Sequence, residues 1–247
     1  MNDELWNQWV ADWHWITDAM HRHGCYSTPP EIAPPASLDE ITTIEKTCGV
    51  TLPRDFVHIV TRHSAFVSLD WTSDRRDGSG LKKRFPPPFS CGFWGGGKQL
   101  WRVSEWQRLY AGFQEMQETF PAESTPYYAS VWDDNMAQDF ALWHNKIPLT
   151  EIPNGDWIAF DLLRGDGESF PLVYLSHDGS SNHGMRLADS FVEFITTWSR
   201  VGCVGPEDWK LEKFHDKSAN KLVTDGELGD QFRASVNDPQ PWFPDTV

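Results

Sequence analysis

The stretch GFWGGGKQ, residues 92–99, comes nearest to a catalytic signature in this 247-residue chain. Gly92, Gly97 and Lys98 have the G-x-x-x-x-G-K spacing, in which backbone amides cradle phosphates and the lysine meets the outer ones. The next position should be Ser or Thr, to hold Mg²⁺, and it is Gln99. A phosphate loop also leaves a buried strand and opens a helix. Here RFPPPFSC comes first, and proline cannot sit in a central strand. The pattern predicts a glycine-rich bend beside a strand, where Trp94 or Trp101 packs against bare backbone.

Histidine and carboxylate chemistry is no better marked. His21 and His23 fall on different faces of a helix, as do His58 and His63. His177-Asp178 and His183 flank a turn that could hold a metal weakly, with an ordinary surface turn as the plainer reading. No H-E-x-x-H, C-x-x-C or G-x-S-x-G element occurs. Asp133-Asp134 and the Asp156/Asp161 pair have no spacing that marks an acid and its base. On one strand, Asp156 and Asp161 would face opposite sides. The expectation is no catalytic residue, no metal and no cofactor.

Charge placement is more telling. The net charge is -15, which repels nucleic acid and anionic membranes and attracts basic partners. From Glu115 to Glu168 there are eleven Asp/Glu against two Lys/Arg, so this segment carries -9 of the total. Tyr127, Tyr128, Trp132, Trp143 and Trp157 interleave it. Acids steer a basic partner and aromatics anchor the contact. Trp132, Asp133, Asp134, Asp139, Trp143, Asp156 and Trp157 are the candidate partner-binding residues. The plainer alternative is a solvated acidic face over an ordinary core.

These residues need a scaffold. Trp6, Trp9, Trp13, Ile16 and Met20 recur at three- and four-residue steps, which predicts an amphipathic helix docked within the fold. STPPEIAPPA then reads as an extended linker. Ser37 and Glu40 form a capping box, Leu38, Ile41, Ile44 and Cys48 mark one buried face, and Gly49 suits a left-handed C-cap. Pro53 starts another helix, with Leu52 as an apolar plug between the two. AFVSLDW, KIPLTEI, DWIAFDL, FPLVYLS and a short MRLAD read as strands. VSEWQRLYAGFQEM reads as a helix, and VWDDNMAQDFALWH as a helix or irregular segment. Ser190 and Glu193 repeat the capping box before Phe191, Phe194, Ile195 and Trp198. Beyond about Lys210 the chain reads as a polar extended tail, with Trp242 and Phe243 tacked onto the body.

Short turns between strands suggest antiparallel pairing, and flanking helices an α+β fold. The expected divisions are 1–36, an N-terminal helix and linker; 37–209, the α+β domain; and 210–247, the tail. Fourteen Trp and 39% hydrophobic residues are ample for a core. Cys25, Cys48, Cys91 and Cys203 lack metal spacing, and a chain this size needs no disulfide staples. The acidic start is unlike a signal peptide, and no apolar run of membrane length occurs. A reducing cytoplasm is the expected compartment.

Ile44, Glu45, Gly49, Leu52, Pro53, Asp55 and Phe56 resemble, one by one, the N-terminal signature of the SUKH superfamily. GDWIAFDL resembles that family's Gly-Asp strand. Ser190, Phe191, Phe194 and Trp198 resemble its Ser-Phe helix. The resemblance spans about residues 38–205. It departs after the Leu-Pro helix, where His63-Ser64-Ala65 replaces a frequent Asn-Gly-Gly. It implies a mainly antiparallel sheet packed with helices, here with an extra Trp-rich helix, and no enzymatic activity. Bacterial members look like immunity proteins that bind a toxin, a basic nuclease among them. Fungal members act as regulators or scaffolds of cell-wall assembly, which is the alternative role.

Overall fold

The computed structural model describes residues 3–81, 85–90 and 94–238. A helical corner sits near its start, formed by α2 (Leu38–Cys48) and α3 (Arg54–Arg62). The Ser37 hydroxyl accepts the Glu40 amide at 3.1 Å and caps α2. Gly49, at φ 68°, closes it in the left-handed conformation that only glycine adopts without strain. The Glu45 carboxylate accepts the Leu52 amide at 2.9 Å across the turn, and Leu52 is buried between the helices. Without glycine, α3 ends differently: the Ser64 hydroxyl donates to the Phe66 carbonyl oxygen at 2.6 Å, and the Ser64 carbonyl takes the Trp101 indole N–H at 3.1 Å.

Two antiparallel sheets form the body. The first has the order β1 (Cys25–Ile32), β2 (Phe66–Arg75), β3 (Gly95–Arg102). The second runs in chain order through β4 (Lys146–Glu151), β5 (Trp157–Asp161), β6 (Leu172–Leu175) and β7 (Arg186–Ala188). Along β5 the side chains alternate. Ile158 and Phe160 enter the main core, while Trp157 and Ala159 enter a smaller core with Leu109 and Phe113 of α4 (Trp106–Thr119). Helices thus cover both faces of this sheet. The fold is α+β and antiparallel, as the strand spacing implies.

The tryptophan stripe on α1 (Asp3–Arg22) docks inward, as its periodicity requires. Trp9 and Trp13 are fully buried, and their indole N–H groups donate to Thr196 Oγ1 at 3.0 Å and Ser199 Oγ at 2.8 Å. Both acceptors lie on α6 (Phe191–Arg200). Bonding the indole removes the desolvation cost that a buried N–H otherwise carries.

Two readings change. The proline-rich segment, expected to be a linker, contains most of β1, which pairs with β2 from Cys25↔Arg75 to Ile32↔Val67. Prolines are tolerated there because β1 is an edge strand, and the register shifts between Thr28 and Glu31, around Pro29 and Pro30. The supposed extended tail instead forms α7 (Asp208–Leu211), a small hairpin of β8 (His215–Asp216) and β9 (Lys221–Leu222), and α8 (Glu227–Asn237). Phe214 and Phe232 pack with Phe89 and Trp94 in one aromatic cluster. Trp242 and Phe243 lie outside the described residues. The main core therefore draws on all three sequence segments.

Candidate partner-binding surface

Sequence proximity misleads at the seven candidate positions, because the fold divides them. Trp143, Asp156 and Trp157 are buried, at 1%, 3% and 3% exposure. Trp143 and Trp157 pack edge or tilted onto Phe113 in the smaller core. They support the surface from beneath, and Trp143 also borders the cleft beside α5. Asp133, Asp134 and Asp139 are exposed, and Trp132 is half-buried, on and just before α5 (Asp134–Ala141). The Asp133 carboxylate caps this helix by accepting the Met136 amide at 2.8 Å. The segment leading into it exposes Tyr127 at 84% and Val131 at 58%. Tyr128, Trp132 and Phe140 pack tilted or edge-on against one another below.

Asp156 is a hydrogen-bond hub. Its Oδ1 accepts the His177 amide at 2.8 Å and the His177 Nδ1–H at 2.7 Å. Its Oδ2 accepts the Asn154 side-chain Nδ2–H at 2.6 Å and the Tyr174 hydroxyl. Burial works to raise the Asp156 pKa, but the bonds from Tyr174, His177 and Asn154 outweigh it and hold the group below its ordinary value. Tyr174 moves the other way: burial and the adjacent carboxylate push its hydroxyl above the ordinary range. Gly155, at φ 94°, lets the chain pass the His177 ring, which a Cβ would meet at 3.4 Å.

Asp156, His177 and Asp178 are also the metal-ligand grouping present among the described residues, with ligand atoms within 4.8 Å of one another. Both Asp156 oxygens are already committed, and Asp178 Oδ1 accepts Ser176 Oγ at 2.5 Å. A cation there would have to displace bonds that hold β5, β6 and the following turn together. The residues present fit a hydrogen-bonded brace better than an open metal site.

That turn carries the remaining polar geometry. The Ser176 amide donates to His183 Nδ1 at 2.9 Å, so Nδ1 is the acceptor and the proton sits on Nε2. Nε2–H in turn donates to the Asp139 carbonyl oxygen at 2.9 Å. One imidazole thus ties α5 to the turn after β6. Between them lies a cleft of about 210 Å³, bordered by Phe120, Asp139, Phe140, Trp143, His177 and Asp178 among others. Sequence reasoning found His177, Asp178 and His183 as turn residues and Asp139 and Trp143 as surface residues. Only the packing of α5 on the β6–β7 turn brings them to one cleft.

The glycine-rich stretch has a structural account. Gly95–Gly97 lie in β3, paired with Thr72, Trp71 and Asp70 of β2. On the other side the Gly97 amide donates to the Cys203 carbonyl at 2.7 Å. A Cβ on Gly96 would lie 2.3 Å from the Cys203 carbonyl oxygen. The glycines admit a third backbone, and the Gly97 amide that a phosphate would need is engaged there. The bend expected at this point is a strand. Gly92 and Cys91 lie outside the described residues, while Cys48 and Cys203 carry free thiols.

These features define a class: an antiparallel α+β domain whose short sequence signatures build joints, with an acidic and aromatic face beside its second sheet. The model of the SMI1 / KNR4 family (SUKH-1) matches residues 35–197, more than half of the chain, and the chain belongs to that family. No curated protein matches it. Among the described residues, no helix is long and apolar enough to cross a membrane.

Proposed function

We propose that this protein is a non-catalytic binding module that neutralises a cognate protein toxin, a basic nuclease being the best-suited kind. Family membership supports a binding role. The observation that carries the choice of partner is the exposed acidic run of Asp133, Asp134 and Asp139 around the protruding Tyr127 and Val131. Exposed carboxylates raise the association rate of a basic partner, and the apolar groups exclude water from the contact. An acidic surface also imitates the charge of the polymer such a toxin would cleave. The protein would act in the cytoplasm, where a toxin of this kind meets its substrate.

Co-expression with the toxin-like product of a neighbouring reading frame tests this. The expected result is rescue of growth and a co-purifying complex whose affinity falls steeply with added salt. Absence of both rescue and complex would reject the reading. Recovery of cell-wall or signalling proteins in its place would favour the regulatory role.

A further inference from the structure

We propose that the cleft between α5 and the turn after β6 receives a single cationic side chain of the partner, arginine above lysine. This rests on the reading of the chain as a partner-binding module. At about 210 Å³ the cleft is smaller than small-molecule sites, which run to roughly 300–1,000 Å³. It suits one long side chain. Three aromatic rings border it: Phe120 and Trp143 lie stacked with centroids 5.0 Å apart, and Phe140 meets Phe120 edge-on at 5.1 Å. Asp139 and Asp178 stand with them, and no Lys or Arg lies among the lining residues.

That lack of a counter-ion leaves both carboxylates open to a partner's cation, whereas several acids elsewhere are already paired. Glu105 is paired with Arg102 and Arg108, Asp189 with Arg186 and Lys221, and Asp230 with Arg200. The Asp139 carboxylate has no ion pair among the described residues. An apolar occupant would bury two uncompensated carboxylates, and an anionic one would be repelled. A guanidinium satisfies both demands at once, because its plane stacks on aromatic rings while its edge donates to carboxylates. The brace of His183 between Ser176 and Asp139 holds the two walls at a set separation before anything binds.

The test titrates the full chain with N-acetyl-arginine methylamide and follows the Trp143 indole and the Asp139, His177 and Gly179 amides by NMR. Saturable shifts confined to these groups are expected. They should weaken at least about fivefold with the neutral, near-isosteric citrulline probe and with the exposed substitutions Asp139→Asn and Asp178→Asn. Shifts that fail to saturate, that spread over the whole surface, or that are equal for citrulline would overturn the inference. The titration uses no toxin. A silent cleft in a protein that still rescues growth would remove this inference alone, and a responsive cleft without rescue would remove only the functional reading.

Discussion

The Asp55 carboxylate accepts the Phe191 backbone amide at 3.0 Å, joining residues 136 positions apart. The same Oδ2 accepts Ser169 Oγ at 2.9 Å, and Oδ1 accepts the Phe56 amide at 2.8 Å. Phe56 meanwhile packs on Phe160 and Phe191. Leu-Pro-x-Asp-Phe and Ser-Phe are therefore two halves of one joint, with the carboxylate satisfying an amide at the first turn of α6.

Asp55→Ala should destabilise the fold by about 1–3 kcal/mol, because it strands the Phe191 amide and the Ser169 hydroxyl. Asp55→Asn should cost less, since its carbonyl oxygen can still accept from Phe191. Urea denaturation of the two variants checks the order. Equal losses would mean that the carboxylate's bonds contribute little.

Asp156 gives a pH signature. Its folded pKa lies below the ordinary 3.8, so its ionised form favours the native state. That contribution is complete above the unfolded value, and it is lost as the pH falls through the lower folded value. Asp156→Asn should therefore lower stability at neutral pH and flatten the acid limb below about pH 4. Thermal unfolding between pH 2 and pH 7 measures both. An acid limb as steep as that of the unaltered protein would show that other carboxylates control it.

Burial separates two kinds of substitution in the acidic segment. Trp143→Ala and Trp157→Ala should each cost about 3–5 kcal/mol by opening the smaller core. Charge reversal at Asp134 or Asp139 should leave stability within about 0.5 kcal/mol and weaken partner binding. Parallel stability and binding measurements distinguish the two. A charge reversal that unfolds the protein would contradict the exposure of α5.

At Gly96 there is no room for a methyl group. Gly96→Ala should cost about 1–3 kcal/mol or more, because the 2.3 Å approach to the Cys203 carbonyl forces two backbones apart. Gly78→Ala is the control: its Cβ meets nothing, so only its positive φ opposes the change. Comparable thermal shifts in the two variants would refute close approach as the reason for the glycine at 96.

Removing the segments outside the family match should not leave an independent domain. Residues 35–197 alone would lose Trp9 and Trp13 from the core, along with Phe214 and Phe232 over Phe89 and Trp94. The fragment is expected to be insoluble or to bind a hydrophobic dye. A cooperative unfolding transition in it would show that the flanks are dispensable.

What the sequence determined on its own was local. The Ser37 and Ser190 caps, the left-handed turn at Gly49, the Leu52 plug and the inward Trp stripe follow from side chains acting within a few residues, so spacing revealed them. The family signature was readable as an ordered set of short motifs, although the joint between Asp55 and Phe191 that its two halves make spans 136 positions. The prolines of β1, the glycines of β3 and the sparse apolar residues of α8 misled, because each is permitted by a neighbour distant in the chain: an edge position, a third backbone at Cys203, an aromatic cluster around Phe89. The acidic segment was visible as composition, but composition cannot tell which side of a sheet a tryptophan enters. Only the tertiary structure decided that Trp143 and Trp157 face inward while Asp134 and Asp139 face out. It alone set α5 against the His183 turn, because that contact is made across 44 residues by one imidazole between two backbones.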